Sequence, residues 1–244
     1  MEQSFPFVIG GQYTPHVALK VFSAADKETL LKCRTVSKVW RDFVDNKTDL
    51  WGQMPSDKYV EAVRQGKLDI CQLVINSTAK AKNPDIRGLT PLHHAALKGH
   101  FDICKMIIEN TDDKNPKDNN GSTPLHWAAR EGHADICRLI IDSAEDTNPV
   151  DDYGKTPLHL AVTKGHFDVC QMIMENTDDK NPADSFSGRT PLHQAAFDGN
   201  LEICRLILNN VTDKNPAEFH SPHRTPLDLA LLRGHQDVAR LWQD

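Results

Sequence analysis

One phrase occurs twice in this chain. FDICKMIIENTDDKNP fills residues 101–116 and returns as FDVCQMIMENTDDKNP at 167–182, with three of sixteen letters changed. A looser copy, ADICRLIIDSAEDTNP, starts at Ala134, so the step is 33 residues. A unit that short cannot bury the apolar face of its own elements, and copies at a fixed step satisfy one another by stacking in a line. The period therefore points to a neighbour-on-neighbour solenoid rather than a globule around one centre.

Within each unit the punctuation is constant. TPLH stands at 90–93, 123–126, 156–159 and 190–193, with TPLD at 225–228. Thr is a good N-cap, Pro at the first helical position gives up no needed hydrogen bond, and His three residues after Thr occupies the reciprocal place of a capping box. About nine residues on comes Gly-His, at 99–100, 132–133, 165–166 and 234–235, with Gly199-Asn200 and Gly66-Lys67 as variants. Gly suits the left-handed position that ends a helix. The segment after it puts Asp in its first turn and spaces Ile103 with Ile107 and Cys104 with Ile108 at i, i+4, which predicts a second short helix. A polar loop ending in Asn-Pro and an Asp-x-x-Gly turn then close the unit.

The residues that invite a chemical reading mostly fall on this punctuation. Cys71, Cys104, Cys137, Cys170 and Cys204 keep the same register, with no CxxC pair beside them. Equivalent sites in stacked helices lie roughly 8–10 Å apart, beyond the about 7 Å that a disulfide spans, so they read as small buried hydrophobes. Of the 12 histidines, His93, His126, His159, His193, His100, His133, His166 and His235 occupy the two cap positions; His16 precedes the repeats, and His94, His220 and His223 are unrepeated and open to contact with a partner. No metal site or cofactor is expected. Phosphate loops, GxSxG, HExxH and unrepeated Cys/His couples are missing, so an enzyme is not expected either.

Net charge is -6, and residues 1–54 carry seven Lys/Arg against six Asp/Glu, which leaves the repeat region near -7. An acidic array argues against nucleic acid, whose affinity rests on clustered positive charge, and for a protein partner. No apolar run approaches the about 18 residues of a membrane span, and the N-terminus lacks a signal-peptide layout. The expectation is a cytoplasmic protein with nuclear access open.

TPLHxAAxxGH at this period resembles the ankyrin repeat, over residues 57–244. The resemblance implies an all-α solenoid of helix-turn-helix units with β-hairpin loops at right angles, and a concave face that binds proteins. It places a repeat domain at 55–244: a capping unit at about 57–83 without TPLH, then five repeats starting near 85, 118, 151, 184 and 218. Where the family has Gly after the second helix, Thr111, Ala144, Thr177 and Val211 stand here; Asn110, Asn176 and Asn210, just before, are expected to take the left-handed turn. Carried onto this chain, the partner surface of the family covers Arg87, Leu97, Trp127, Arg130, Tyr153, Phe186, Phe197, Phe219 and Arg224. Aromatic and Arg side chains in such places dominate binding hot spots.

Residues 1–54 do not repeat. HVALKVFS at 16–23 reads as one helix and ETLLKCRTVSKVWRDFVDN at 28–46 as a longer one with a wide apolar stripe. This stretch, too small for a robust core of its own, resembles an F-box, the motif that docks substrate receptors onto the Skp-type adaptor of cullin-RING ubiquitin ligases. The carrying residues are LKVF, LLKCRTVSKVWR and LW, with Tyr13-Thr14 where the family favours Leu-Pro, and His16 and Ala25 in place of an acid and a Leu. The resemblance implies an adaptor contact through Pro15, Leu19, Val21, Phe22, Leu30, Leu31, Val36, Trp40, Leu50 and Trp51.

Two readings stay open. In one, the chain is the substrate receptor of a Skp-cullin-F-box ligase, a monomer outside the complex, with the module at 1–54 gripping the adaptor, and through it a cullin, while the array holds an unidentified protein substrate. In the other it is an ankyrin scaffold or inhibitor without a ligase, whose N-terminal helices only cap the stack. The F-box-like spacing favours the first.

Overall fold

The computed structural model describes residues 8–9, 12–13, 56–77, 84–220 and 222–243. Near the N-terminus, β1 (Val8–Ile9) pairs antiparallel with β2 (Gln12–Tyr13), Val8 opposite Tyr13. That small hairpin has no counterpart in the sequence reading, and the helices expected over 16–23 and 28–46 lie outside the described residues.

From residue 56 onward the chain is a row of helix pairs: α1 (Ser56–Arg64) with α2 (Leu68–Ser77), α3 (Pro91–Lys98) with α4 (Phe101–Glu109), and α5 (Pro124–Glu131) with α6 (Ala134–Ser143). They continue as α7 (Pro157–Lys164) with α8 (Phe167–Glu175), α9 (Pro191–Asp198) with α10 (Leu201–Leu208), and α11 (Pro226–Arg233) with α12 (Gln236–Ala239), which runs into a single 3-10 turn at Arg240–Trp242. The boundaries follow from the punctuation. Thr90, Thr123, Thr156, Thr190 and Thr225 are extended N-caps, Pro follows at the first helical position, and all five helices carry the full capping box. Each ends on a glycine in the left-handed region.

First helices pack side by side along one layer and second helices along another. Ala95 and Ala96, Ala128 and Ala129, and Ala195 and Ala196 are solvent-free between them, small enough for the layers to close. Leu92, Leu125, Leu158 and Leu192 fill the interior from the first helices, and Ile103, Ile136, Val169 and Ile203 from the second. Each such side chain stabilises the stack by about 1.5–3 kcal/mol through burial, and it does so only because the neighbouring unit is present. The register cysteines are free and buried, as the sequence implied.

The second helices end differently from expectation. Asn110 and Asn176 sit at φ -113° and -112°, not in the left-handed region. Their side chains cap instead: Asn110 Nδ2 donates to the Met106 carbonyl and Asn176 Nδ2 to that of Met172, each at 2.8 Å, and Asn210 Nδ2 does the same to Leu206. The ammonium groups of Lys114 and Lys180 fold back onto the carbonyls of Ile108 and Thr111, and of Met174 and Thr177. These bonds satisfy the orphan carbonyls of a helix end, so glycine is not required there.

The following Asn-Pro does related work on the next helix. Oδ1 of Asn115, Asn181 and Asn215 accepts from the backbone N–H of Leu125, Leu192 and Leu227, donors that the helix start leaves unpaired. Between Asn-Pro and Thr the chain turns out as a finger. Asp118 Oδ1 accepts from the N–H of Asn120 and Ser122, and Asp151 Oδ1 from Tyr153 and Lys155. One backbone bond crosses from each tip to the preceding one: Asn119 to Arg87, Asp152 to Asn120, Ser185 to Tyr153 and Phe219 to Ser187. The fingers are thus hairpin-shaped turns held edge to edge; among the described residues 56–243 they are too short to form a strand.

Candidate functional site

Two columns of histidine set the spacing on which any binding face depends. In the first, the Thr90 N–H donates to His93 Nδ1 at 3.0 Å, which leaves the ring proton on Nε2. Nε2–H then donates to the Ser122 carbonyl of the next unit at 3.1 Å. His126 reaches Lys155 (3.0 Å), His159 reaches Arg189 (3.3 Å) and His193 reaches Arg224 (3.2 Å) in the same way. The second column points backwards: Nε2 of His100, His166 and His235 bonds the carbonyls of Arg64, Arg130 and Phe197, each at 3.1 Å.

Burial decides the charge state of the first column. Desolvation pushes His93 and His159 down to about 4, and also lowers His126 and His193, against the opposing pull of their carbonyl partners and nearby carboxylates. These rings are neutral structural bridges at neutral pH, occupied on both nitrogens.

His94 departs from expectation. It is fully buried, donates through Nε2 to Asp85 Oδ2 at 3.2 Å and accepts at Nδ1 from Arg64 Nε at 3.3 Å, so it offers nothing to a partner. In the next unit the equivalent position is Trp127. Its indole N–H donates to Asp118 Oδ2 at 3.3 Å, and the Arg130 guanidinium stacks 5.2 Å from its ring centre. Its N–H and one face of its ring are therefore already engaged inside its own repeat.

Tyr153 and Phe186 are brought together. They sit on adjacent finger tips, 58% and 75% exposed, where no core role accounts for them. With Thr163 on α7 and Gln194 on α9 they line an open cleft of about 550 Å³, flanked by Lys155, Arg189 and Glu218. Arg189 Nε donates to Glu218 Oε1 at 2.6 Å across the fourth and fifth fingers. Phe186 meets the His220 ring edge-on at 6.2 Å, while His220 Nε2 bonds the Phe186 carbonyl.

The other anticipated contact residues are dispersed. Phe219 lies against Gly188, where its ring would meet an added Cβ at 2.4 Å, and so supports the finger stack while remaining 57% exposed. Phe197 is half-buried beneath the Arg233 guanidinium, 4.5 Å from its ring centre. Leu97 and Arg224 are half-buried, and Arg87 is exposed on the first finger. His223, on the longer fifth finger, has φ 53° and bonds the Glu218 carbonyl through Nδ1. Lys155 and Arg189 were not singled out by sequence. The available signal was positional, since Lys155, Arg189 and Arg224 each directly precede the Thr of their repeats.

Residues 59–151, 112–184 and 177–241 match the family model described as ankyrin repeats (3 copies). The chain belongs to the ankyrin-repeat family. Ahead of the ankyrin array, residues 15–54 match the model described as F-box-like. Pro15, Leu19, Val21, Phe22, Leu30, Leu31, Val36, Trp40, Leu50 and Trp51 all fall within that stretch and lie outside the described residues. No curated protein matches the chain. Both modules are typically non-catalytic interaction modules, and among the described residues no helix is long and apolar enough to cross a membrane.

Proposed function

We propose that this chain is the substrate receptor of a Skp-cullin-F-box ubiquitin ligase. The division of labour follows the expected boundaries, with residues 1–54 docking the Skp-type adaptor and residues 55–244 holding a protein substrate. The observation that carries the reading is the F-box-like match at 15–54, on the same chain as an ankyrin array whose finger tips expose Tyr153 and Phe186. The chain itself catalyses nothing in this scheme. By fixing a substrate near the transfer end of the ligase it raises the effective concentration of the reacting lysine, as any two-module linker does. The place of action is the cytoplasm, with nuclear access open.

The test is retention of purified Skp-type adaptor on the immobilised full chain. Wild type should retain it, and Leu31→Ala combined with Trp40→Ala should abolish retention while the array keeps its helical circular dichroism. Truncating two large apolar groups costs about 2–5 kcal/mol each where they are buried. A wild-type chain that retains no adaptor at high micromolar concentration sinks the ligase reading and leaves an ankyrin scaffold.

A further inference from the structure

We propose that the cleft beside Tyr153 and Phe186 reads an extended, acidic segment of a partner protein, seating one apolar side chain against the two rings and one carboxylate on Lys155. This inference rests on the reading of the ankyrin array as the substrate-holding part of the chain.

The cleft commits to that chemistry because nearly every other polar group around it is already engaged. The Asp184 carboxylate accepts from the N–H groups of Ser187 (2.6 Å) and Gly188 (3.1 Å) and from Ser187 Oγ (3.0 Å). Glu218 is held by Arg189. Thr163 Oγ1 donates to the His159 carbonyl at 2.8 Å, and Gln194 Nε2 to Asp198 Oδ2 at 2.6 Å. What stays open is two aromatic rings, the Tyr153 hydroxyl and one exposed cation, for among the described residues no carboxylate lies within ion-pair distance of the Lys155 ammonium. A hydrophobic side chain gains burial on the rings, and a neighbouring carboxylate meets the one cation of the lining that has no carboxylate partner among the described residues. A lysine-bearing segment would meet that same charge with repulsion. The shape agrees: about 550 Å³, open to solvent, holds a side chain or two of a strand passing across the fingers.

Dye-labelled peptides built on a serine-glycine background, titrated against the full chain by fluorescence anisotropy, test this. The expected order is phenylalanine-aspartate tightest, with phenylalanine-lysine and alanine-aspartate about tenfold weaker or worse, and binding that weakens as salt is raised. Tyr153→Ala with Phe186→Ala should lose about tenfold on the first peptide. Lys155→Glu should invert the preference, weakening phenylalanine-aspartate and strengthening phenylalanine-lysine. A gain of that kind cannot come from a damaged fold. An unchanged charge preference in Lys155→Glu, a wild-type preference for the lysine peptide, or no saturable binding up to millimolar protein would each overturn the proposal. Adaptor retention is measured separately through residues 15–54, so loss of peptide binding with adaptor retained defeats the cleft alone, and loss of adaptor with peptide bound defeats the ligase reading alone.

Discussion

The central and the last ankyrin repeats share their TPL and Gly-His punctuation and are held very differently. Gly132 ends α5 at φ 81°, and a Cβ there would lie 2.7 Å from the His166 ring of the following unit; Gly234 ends α11 at φ 79° with nothing within 4 Å. His126 passes a hydrogen bond on to the Lys155 carbonyl, while Asp228, at the same place in the fifth repeat, accepts from the Thr225 N–H and hydroxyl and has no proton to pass on. One changed letter converts a two-sided bridge into a one-sided cap. In a solenoid, a residue is worth what its neighbour makes of it.

Acid should expose this difference most. The central histidines have folded-state pKa values below their unfolded value of 6.5, reaching about 4 at His93 and His159. Protonation therefore favours the unfolded chain: their contribution is complete above pH 6.5 and is lost as pH falls towards 4. Four such rings together are worth several kcal/mol on the order of magnitude that linkage allows. Urea midpoints at pH 7 and pH 5 should differ sharply, and amide protection factors, corrected for the intrinsic pH dependence of exchange, should fall in repeats one to four. Midpoints that coincide would show that the folded rings take up protons as readily as the unfolded ones, and would contradict the lowered values.

Substitution sharpens the contrast next. Gly132→Val forces a β-branched residue into the left-handed region and into the His166 ring, and should cost about 3 kcal/mol or more. Gly234→Val meets the backbone strain alone, about 1–2 kcal/mol. Equal shifts in the denaturation midpoint would contradict the neighbour-dependent picture. His126→Ala, which empties both ring nitrogens' sites, should cost about 2 kcal/mol, against about 1 kcal/mol for Asp228→Ala, an ordinary cap loss. The smallest effect belongs to Tyr153→Ala combined with Phe186→Ala, which should leave thermal stability within about 0.5 kcal/mol because both rings are exposed.

What the letters revealed was local. TPLH announced its capping box within four residues, and Gly-His its left-handed stop, so the helices and their stacking could be read directly. The return bonds of the same histidines could not, because their partners lie about thirty residues away in sequence and are backbone carbonyls, which any residue supplies. The second-helix ends misled for a related reason. Asn110 and Asn176 tolerate the left-handed turn, but side-chain amides and Lys114 or Lys180 satisfied the carbonyls first. His94 was legible as unrepeated and illegible as buried, since its burial depends on Arg64 from the unit before. At the binding face, variation among repeats found Tyr153 and Phe186, whereas the openness of Lys155 depends on how neighbouring carboxylates are spent. That is a fact of three dimensions.

The five aligned cysteines give the array an internal clock. Burial pushes Cys71, Cys137, Cys170 and Cys204 up to about 12, and raises Cys104 as well, so in the closed stack the thiolate that reacts is scarce and shielded. Each unit from the capping pair to the fourth repeat holds one such thiol, and only separation from a neighbour exposes it. The order in which a soluble thiol reagent marks the five positions would then be the order in which the repeats come apart, recorded covalently and without any engineered label.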